Sequence, residues 1–519
     1  MAENEVAPLK DSQGDQQHHV HDQLSISMRA FKRWGSATVF LFLFILVIGA
    51  SFWWVDLASL SSSISVMVGG PKTENLGASQ KPKRAPREFT LNCSNDATIK
   101  KTCAVNYQST PLSPGESSAP ACPEYFRWIH EDLRPWKSTG ITRETLESVK
   151  GSSHFRLVIY KGKAYLDKFH GAYQTRDLFT IYGIVQLLRF YPGMVPDLEL
   201  MFRCEDRPLI AKKDYQSPNA TTPPALFSYC GHRDHLAVIF PDWSFWGWVE
   251  VNIKPWSSIL ELIKQGSERI KWKKRLPYAF WKGNPESPDR KDVMSCNPSK
   301  EHDWGVRAYR QDWGKEIQEG FKNSNLEDQC THRYKIYVEG WGWSVSEKYI
   351  LACDSMTLRV KPEFYDFFSR GMMPMKHYWP IRRTNKCKDF KFAVQWGNKH
   401  TNKAREIGKG GSGYTQEELK MENVYSYMLH LLTEYAKLLK FKPEVPKGAV
   451  ELCSEAMVCQ EQGLRRSYMV DSMVESPSET PPCSLPPPFD RSELQALLEK
   501  KSGLERQVEK WTDSYWSKH

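Results

Sequence analysis

The chain lacks most of the signatures that announce a catalytic class. It has no G-x-x-x-x-G-K-[ST] loop, no G-x-S-x-G elbow and no H-E-x-x-H helix. P-loop, α/β-hydrolase and zincin readings therefore lose their footing. It also has no D-x-D, the paired carboxylates that can hold a divalent ion on nucleotide phosphates. Phosphate charge would instead fall to basic side chains, backbone N–H groups and helix N-termini. No C-x-x-C occurs among the 12 cysteines, which argues against zinc ribbons and thioredoxin-type sites, while that cysteine number is high for a cytosolic chain. Dense basic blocks are missing too. The net charge of +10 is spread over 519 residues, which suits anionic ligands such as nucleotides and not nucleic acid. There is no internal repeat, and only one long hydrophobic run.

That run, SATVFLFLFILVIGASFWWV at 36–55, contains no charged residue. A helix rising about 1.5 Å per residue needs roughly 20 apolar residues to cross a hydrocarbon core of about 30 Å. Arg29, Lys32 and Arg33 precede the run and Asp56 follows it, an asymmetry that keeps the N-terminus cytosolic. Trp53 and Trp54 fall where an interfacial aromatic belt belongs. A cleaved signal peptide is the alternative, since Gly49-Ala50-Ser51 offers small residues; the long apolar core and the bulky residues after it favour an uncleaved anchor. The sequons at Asn92 and Asn219 lie beyond it, consistent with a lumenal body.

The expected organisation is a polar cytosolic tail at 1–35, the anchor at 36–55, and a Ser/Pro/Lys-rich lumenal stem at 56–120. Beyond 120, β-like runs such as FRLVIY at 155–160 and AVIF at 237–240 alternate with helical periodicity near 174–190 and 416–440. This alternation predicts an α/β protein with parallel sheets. A Pro-rich linker at 476–489 precedes a helix capped by Asp490, with Leu494, Leu497, Leu498, Leu504 and Val508 along one stripe; such a stripe is more often a packing face than a partner site. Cys453 with Cys459, and Cys93 with Cys103, are plausible local disulfides.

Four clusters mix aromatics, Gly/Pro and charge at loop-like positions. They are PDLELMFRCEDRP at 196–208, FPDWSFWGW at 240–248, Trp272-Lys273-Lys274 leading to AFWKGNP at 279–285 and Arg290, and GWGWSVSEK at 340–348 followed by Cys353. In this order the motifs resemble those of the Rumi-like protein O-glucosyltransferases, glycosyltransferase family 90, over roughly 122–440. The anchor, stem and W-S-V-S-E-K form resemble the plant branch.

The resemblance implies a GT-B-like α/β fold, two Rossmann-like lobes facing a cleft, preceded by a single transmembrane helix. The base-bearing and acceptor lobe would span 121–250, the nucleotide-sugar lobe 251–440, and a C-terminal extension 441–519. It also implies inverting transfer without a metal or other cofactor, from UDP-glucose or UDP-xylose to a hydroxyl of a glycan or of a protein Ser/Thr. Asp206 is the implied general base; on residues alone a turn Asp or a salt-bridge partner of Arg207 is the commoner role. Donor contacts fall on Lys282, Gly283, Trp341, Gly342, Trp343, Ser344, Val345 and Ser346, with Arg290 and Lys348 as sources of further charge. Core packing is the alternative for Trp341 and Trp343, and a solvated surface position for Lys282. Phe240, Trp243, Phe245 and Trp246 match the acceptor segment, though Trp-rich runs are also common in cores. Cys330 and Cys353 match a family disulfide. Lys282 and Ser346 stand where the glucosyltransferases carry arginine, which leaves a catalytically silent, sugar-binding or scaffold member as the alternative. With no KDEL-type ending, a single-pass type II Golgi protein is expected, with the endoplasmic reticulum second.

Overall fold

A computed structural model describes residues 91, 93, 119–217 and 220–519, all within a compact unit spanning Arg84–His519. The anchor at 36–55, the tail, nearly all of the stem, and both sequon asparagines, Asn92 and Asn219, lie outside the described residues. Among the described residues no helix is long and apolar enough to cross a membrane.

Two sheets organise the chain. The first is built from β1 (Phe155–Tyr160), β2 (Lys163–Lys168), β3 (Leu198–Phe202), β4 (Leu226–Ser228) and β5 (Val238–Ile239). The second holds β6 (Leu276–Gly283), β7 (Val306–Arg310), β8 (His332–Tyr337), β9 (Met356–Val360) and β10 (Trp379–Ile381), before β11 (Val450–Leu452) returns to the edge of the first. The strand orders are β11-β2-β1-β3-β4-β5 and β7-β6-β8-β9-β10. All pairs in the second sheet are parallel. The first departs from the expected parallel arrangement: β1 pairs antiparallel with both β2 and β3, and only β3-β4-β5 run parallel. The cause is local. Lys161 and Gly162 both take positive φ, 50° and 75°, the left-handed pair that closes a two-residue hairpin.

Helix α1 (Arg176–Phe190) connects β2 to β3 and is buried around almost its whole circumference. In the second lobe α2 (Trp256–Arg269) precedes β6, α3 (Pro288–Ser295) links β6 to β7, and α4 (Ser346–Leu351) links β8 to β9. After β10 come α5 (Lys386–Lys399), α6 (Thr401–Gly413) and α7 (Met421–Ala436). Sequence order assigns α7 to the second lobe, but it packs on the first. Tyr435 donates to the Glu199 carbonyl at 3.0 Å and Tyr427 to the Ile239 carbonyl at 3.2 Å. One hydrophobic core includes Leu157, Leu200, Phe227, Trp246 and Leu432; a second includes Trp281, Tyr334, Leu358, Trp379 and Phe390.

The C-terminal extension straps these cores together. The backbone N–H of Cys122 donates to the Ser484 carbonyl at 2.9 Å, and the two neighbouring cysteines, Cys122 and Cys483, form a disulfide. Helix α8 (Arg491–Trp516) starts at the expected Asp490, which forms a capping box with Glu493. Its stripe is a packing face: Leu494 and Leu497 lie against the first core and Val508 is buried in the second. Leu498 is left exposed. The two local disulfides expected from spacing do not form. Cys459 pairs with Cys93 across a separation of 366 residues, because β11 and the helices after it fold back over the first sheet. Cys296–Cys387 is a further pair; Cys103 lies outside the described residues.

Replacing Cys122 and Cys483 together with serine is expected to lower unfolding stability by about 2–4 kcal/mol. Leu498→Ala should change it by less than about 0.5 kcal/mol. Denaturant melts of the three proteins under oxidising conditions check both numbers.

Candidate active site

β3 is buried on both faces, and the chain leaves its C-terminal end as Arg203-Cys204-Glu205-Asp206-Arg207-Pro208. Asp206 therefore stands where side chains at the ends of parallel strands meet a cleft. Its side chain is 41% exposed, and Oδ1 accepts from Arg176 Nη1 at 2.8 Å. Arg176 opens α1 and is almost fully buried, its guanidinium 4.7 Å from the Trp243 ring and 5.1 Å from that of Tyr173. An Asp206–Arg207 pair, the alternative weighed on sequence, is not what forms. Arg207 instead donates through Nε to the Trp341 carbonyl. The Asp206 backbone is also held: Cys230 Sγ donates to its carbonyl at 3.3 Å, and burial pushes that thiol far up, keeping it protonated.

The second lobe presses directly on this loop. A Cβ placed on Gly342 would lie 1.8 Å from the Asp206 carbonyl oxygen, so only glycine permits the approach. Around it, Ser344 Oγ lies 2.9 Å from Ser346 Oγ and accepts from Arg290 Nη2 at 3.1 Å. Arg290 Nη1 donates to the Asn284 carbonyl at 3.2 Å, while its buried Nε has no partner among the described residues. Burial pulls the Arg290 guanidinium below its ordinary value, with Tyr337, Asp206 and Glu339 opposing. The buried cation thus lies within electrostatic reach of the candidate base. The Cys330–Cys353 disulfide forms as the resemblance implies, bracketing the 340–346 loop in sequence. Glu339, just before the loop, accepts from the backbone N–H groups of Glu363 and Phe364 at 3.0 and 3.1 Å and from Arg383 at 3.0 Å.

Other expected residues are placed differently. Phe240, Trp243, Phe245 and Trp246 are at most 1% exposed, so none offers a face to an acceptor. They are support. Trp243 backs Arg176, and Trp246 donates to the Tyr425 hydroxyl at 3.1 Å while lying so close to Gly183 that a Cβ there would sit 2.5 Å away. Lys348 is not a donor-site charge. Helix α4 turns it inward, where its amine lies 3.1 Å from Asp242 Oδ2 and 2.8 Å from Ser244 Oγ. Trp343 is buried against Tyr229 and Trp243, and Val345 packs against the first core, whereas Trp341 is exposed. Gly283 closes β6 beneath the Trp281 ring. Lys282 donates its amine to the Asn323 carbonyl.

Sequence reasoning missed Arg176 and Tyr173. Nothing in spacing ties Arg176 to an aspartate 30 residues on; its position as the first residue of a buried helix, behind a Gly/Thr-containing loop, was the available signal. It also missed Asp366, at the junction of the lobes. Burial, with Glu347 and Asp242 nearby, pushes that carboxyl from 3.8 up to about 7.

A two-lobed α/β protein with a clamped carboxylate facing a buried guanidinium across a glycine-tight contact is the class these features define. Its family is shown by comparison: residues 117–512 match the model of Glycosyl transferase family 90, and the chain belongs to that family. It is similar to an O-glucosyltransferase rumi homolog of Aedes aegypti, 25% identical over 62% of this chain and 80% of the relative. Protein O-glucosyltransferase 1 of Bos taurus is 25% identical over 64% and 84% of the two chains. O-glucosyltransferase rumi of Drosophila melanogaster is 24% identical over 66% and 83%. The protein is accordingly a glycosyltransferase.

Two predictions follow from this geometry. Arg176→Ala frees the Asp206 carboxylate and leaves a hole beside Trp243, and is expected to lower kcat about 100-fold. Arg176→Lys should recover only part of that loss, because one amine cannot reproduce the fork; steady-state kinetics of both variants check it. For Asp366, the folded state binds its proton more tightly than the unfolded state does. The stability this contributes is fully present below about pH 4 and lost as pH rises through about 7. Asp366→Asn should therefore flatten the fall in melting temperature across that window, and melts at stepped pH read the difference from wild type.

Proposed function

We propose that the protein is an inverting, metal-independent transferase of the GT-B kind, with two Rossmann-like lobes, that moves glucose or xylose from a UDP-sugar to a hydroxyl of a glycan or of a protein Ser/Thr. The observation that carries this is the Asp206 site. A half-exposed carboxylate is fixed by Arg176 at 2.8 Å, while a buried guanidinium with a free Nε stands within its field. Asp206 takes the acceptor hydroxyl proton as that oxygen attacks the anomeric carbon. The new C–O bond forms as the bond from that carbon to the diphosphate breaks, and the electron pair leaves with UDP. The product carries the anomeric configuration opposite to the donor's. A carboxylate with a reference pKa near about 4 can serve, because it needs only to touch the hydroxyl in the transition state. Arg290, Ser344, Ser346 and the backbone of Gly342 supply the donors and positive charge that a diphosphate requires in place of a metal. The activity in the relatives' names, O-glucosyl transfer, supports glucose as donor sugar and a protein hydroxyl as one acceptor. A Golgi location with the N-terminal run at 36–55 as anchor fits a secretory-pathway acceptor.

A catalytically silent, sugar-binding member is the second reading. It is favoured by Lys282, whose amine is directed to the Asn323 carbonyl, and by Ser346, a neutral side chain bonded to Ser344.

Incubating the full chain with a panel of UDP-sugars, with and without chelator, and following released UDP decides between the two. The enzyme reading expects release with UDP-glucose or UDP-xylose, insensitive to chelator, and a fall of about 1,000-fold or more in kcat for Asp206→Asn. Arg290→Ala should raise the donor KM by about ten-fold or more. No release with any donor would establish the silent reading.

A further inference from the structure

With the expected acceptor aromatics buried in the core, the acceptor lacks a stacking surface unless other rings provide one. Two do. Among the described residues, Tyr173 and Trp341 are large apolar side chains left 53% and 54% exposed, and they adjoin Arg176 and Arg207, the arginines on and next to Asp206. Tyr173, from the loop before α1, lies 5.1 Å from the Arg176 guanidinium that grips Asp206. Its phenol is pushed up by partial desolvation, against Arg176, with Asp206 and Glu250 adding to the effect. Trp341 comes from the other lobe. Its carbonyl accepts from Arg207 and its ring centroid lies 5.9 Å from that guanidinium, while the next residue, Gly342, abuts the Asp206 carbonyl. The base is thus flanked by an exposed ring from each lobe, each backed by an arginine.

We propose that Tyr173 and Trp341 form the acceptor subsite, and that its occupant is a pyranose ring of a glycan. This deepens the preceding reading, on which it rests for the role of Asp206. The chemistry favours a sugar. A pyranose has an apolar C–H face that lies on an aromatic plane and a rim of hydroxyls that bond to carboxylate and guanidinium groups, and both kinds of partner are present here. A folded protein acceptor would call for an interface of about 800 Å² per partner with an apolar centre. Among the described residues, the exposed large apolar side chains tied to the Asp206 loop by contact or sequence are these two rings and Leu209, set among Arg203, Glu205 and Arg207. The assignment moves Trp341 from the donor side of the cleft to the acceptor side.

Saturation-transfer NMR on the full chain in detergent, with UDP present, tests this with β-1,4-linked xylo- and gluco-oligosaccharides as probes. Wild type should transfer saturation to ring C–H protons of at least one series. Tyr173→Ala and Trp341→Ala should each weaken the apparent Kd about ten-fold, while Tyr173→Phe, which keeps the plane, stays close to wild type. Thermal melts confirm that the variants are folded. Asp206→Asn should still bind, because stacking does not need the base. Absence of oligosaccharide binding in wild type, or binding indifferent to Tyr173→Ala, overturns the proposal. So does Tyr173-dependent binding of an unglycosylated, Ser-containing folded domain in place of the sugars. Oligosaccharide binding by a wild-type protein that releases no UDP from any donor would leave the subsite standing and remove the catalytic reading alone.

Discussion

The approach of Gly342 to Asp206 is the contact on which the cleft depends. At a hypothetical Cβ separation of 1.8 Å no side chain can intervene, so the loop from the second lobe lies backbone against backbone with the loop from the first. Everything polar nearby is arranged around that junction. Arg207 reaches across to the Trp341 carbonyl, and Cys230 braces the Asp206 carbonyl from behind. Ser344 holds Arg290 on the far side. A longer side chain at 342 would push the loops apart and carry Arg290 away from the carboxylate it faces.

Behind this contact, the lobes are held by interactions that are strong only as complete sets. Lys348 and Asp242 are both almost fully buried, as are Arg359 and Glu347. Desolvating such ions costs several kcal/mol each, and their mutual attraction with hydrogen bonds offsets that cost only when geometry is preserved. Lys348 makes its contacts with Asp242 and Ser244 together, so the first lobe presents a prearranged pocket for an amine from α4. Strand Phe364–Tyr365 pairs with Gly231–His232 across the same junction. These ties specify one relative placement of the two sheets.

How much of this was legible depends on whether the determinant was local. FRLVIY at 155–160, the periodicity after 174 and the Asp490 cap each state their own structure, because strand, helix and cap preferences act over a few residues. The Lys161-Gly162 hairpin was equally local and went unread, which is why a mixed sheet was taken for a parallel one. The tryptophan-rich run at 240–248 was ambiguous in principle: an aromatic ring is as suited to a core as to a sugar, and only the surrounding elements choose. Lys348 and Arg290 were indistinguishable as charges in sequence, yet α4 turns one toward Asp242 and α3 turns the other toward Ser344. Arg176 and the Cys93–Cys459 bridge rest on contacts 30 and 366 residues apart; no spacing rule reaches them. The order of motifs points to Asp206 as the candidate base, and the family comparison covers the same stretch.

The strap has a mechanical meaning. Cys93 and Cys122 stand near the N-terminal entry to the folded body, and each is bonded covalently to the C-terminal extension, at Cys459 and Cys483. Tension applied at the N-terminal end would not peel away the first helices in turn. It would pass through sulfur into the extension, where α8 lies along the second core and its C-terminal ring, Trp516, bonds to the Lys388 carbonyl. The load is shared between both lobes before any strand of the catalytic sheet feels it. A body loaded at that end keeps its two sheets in register.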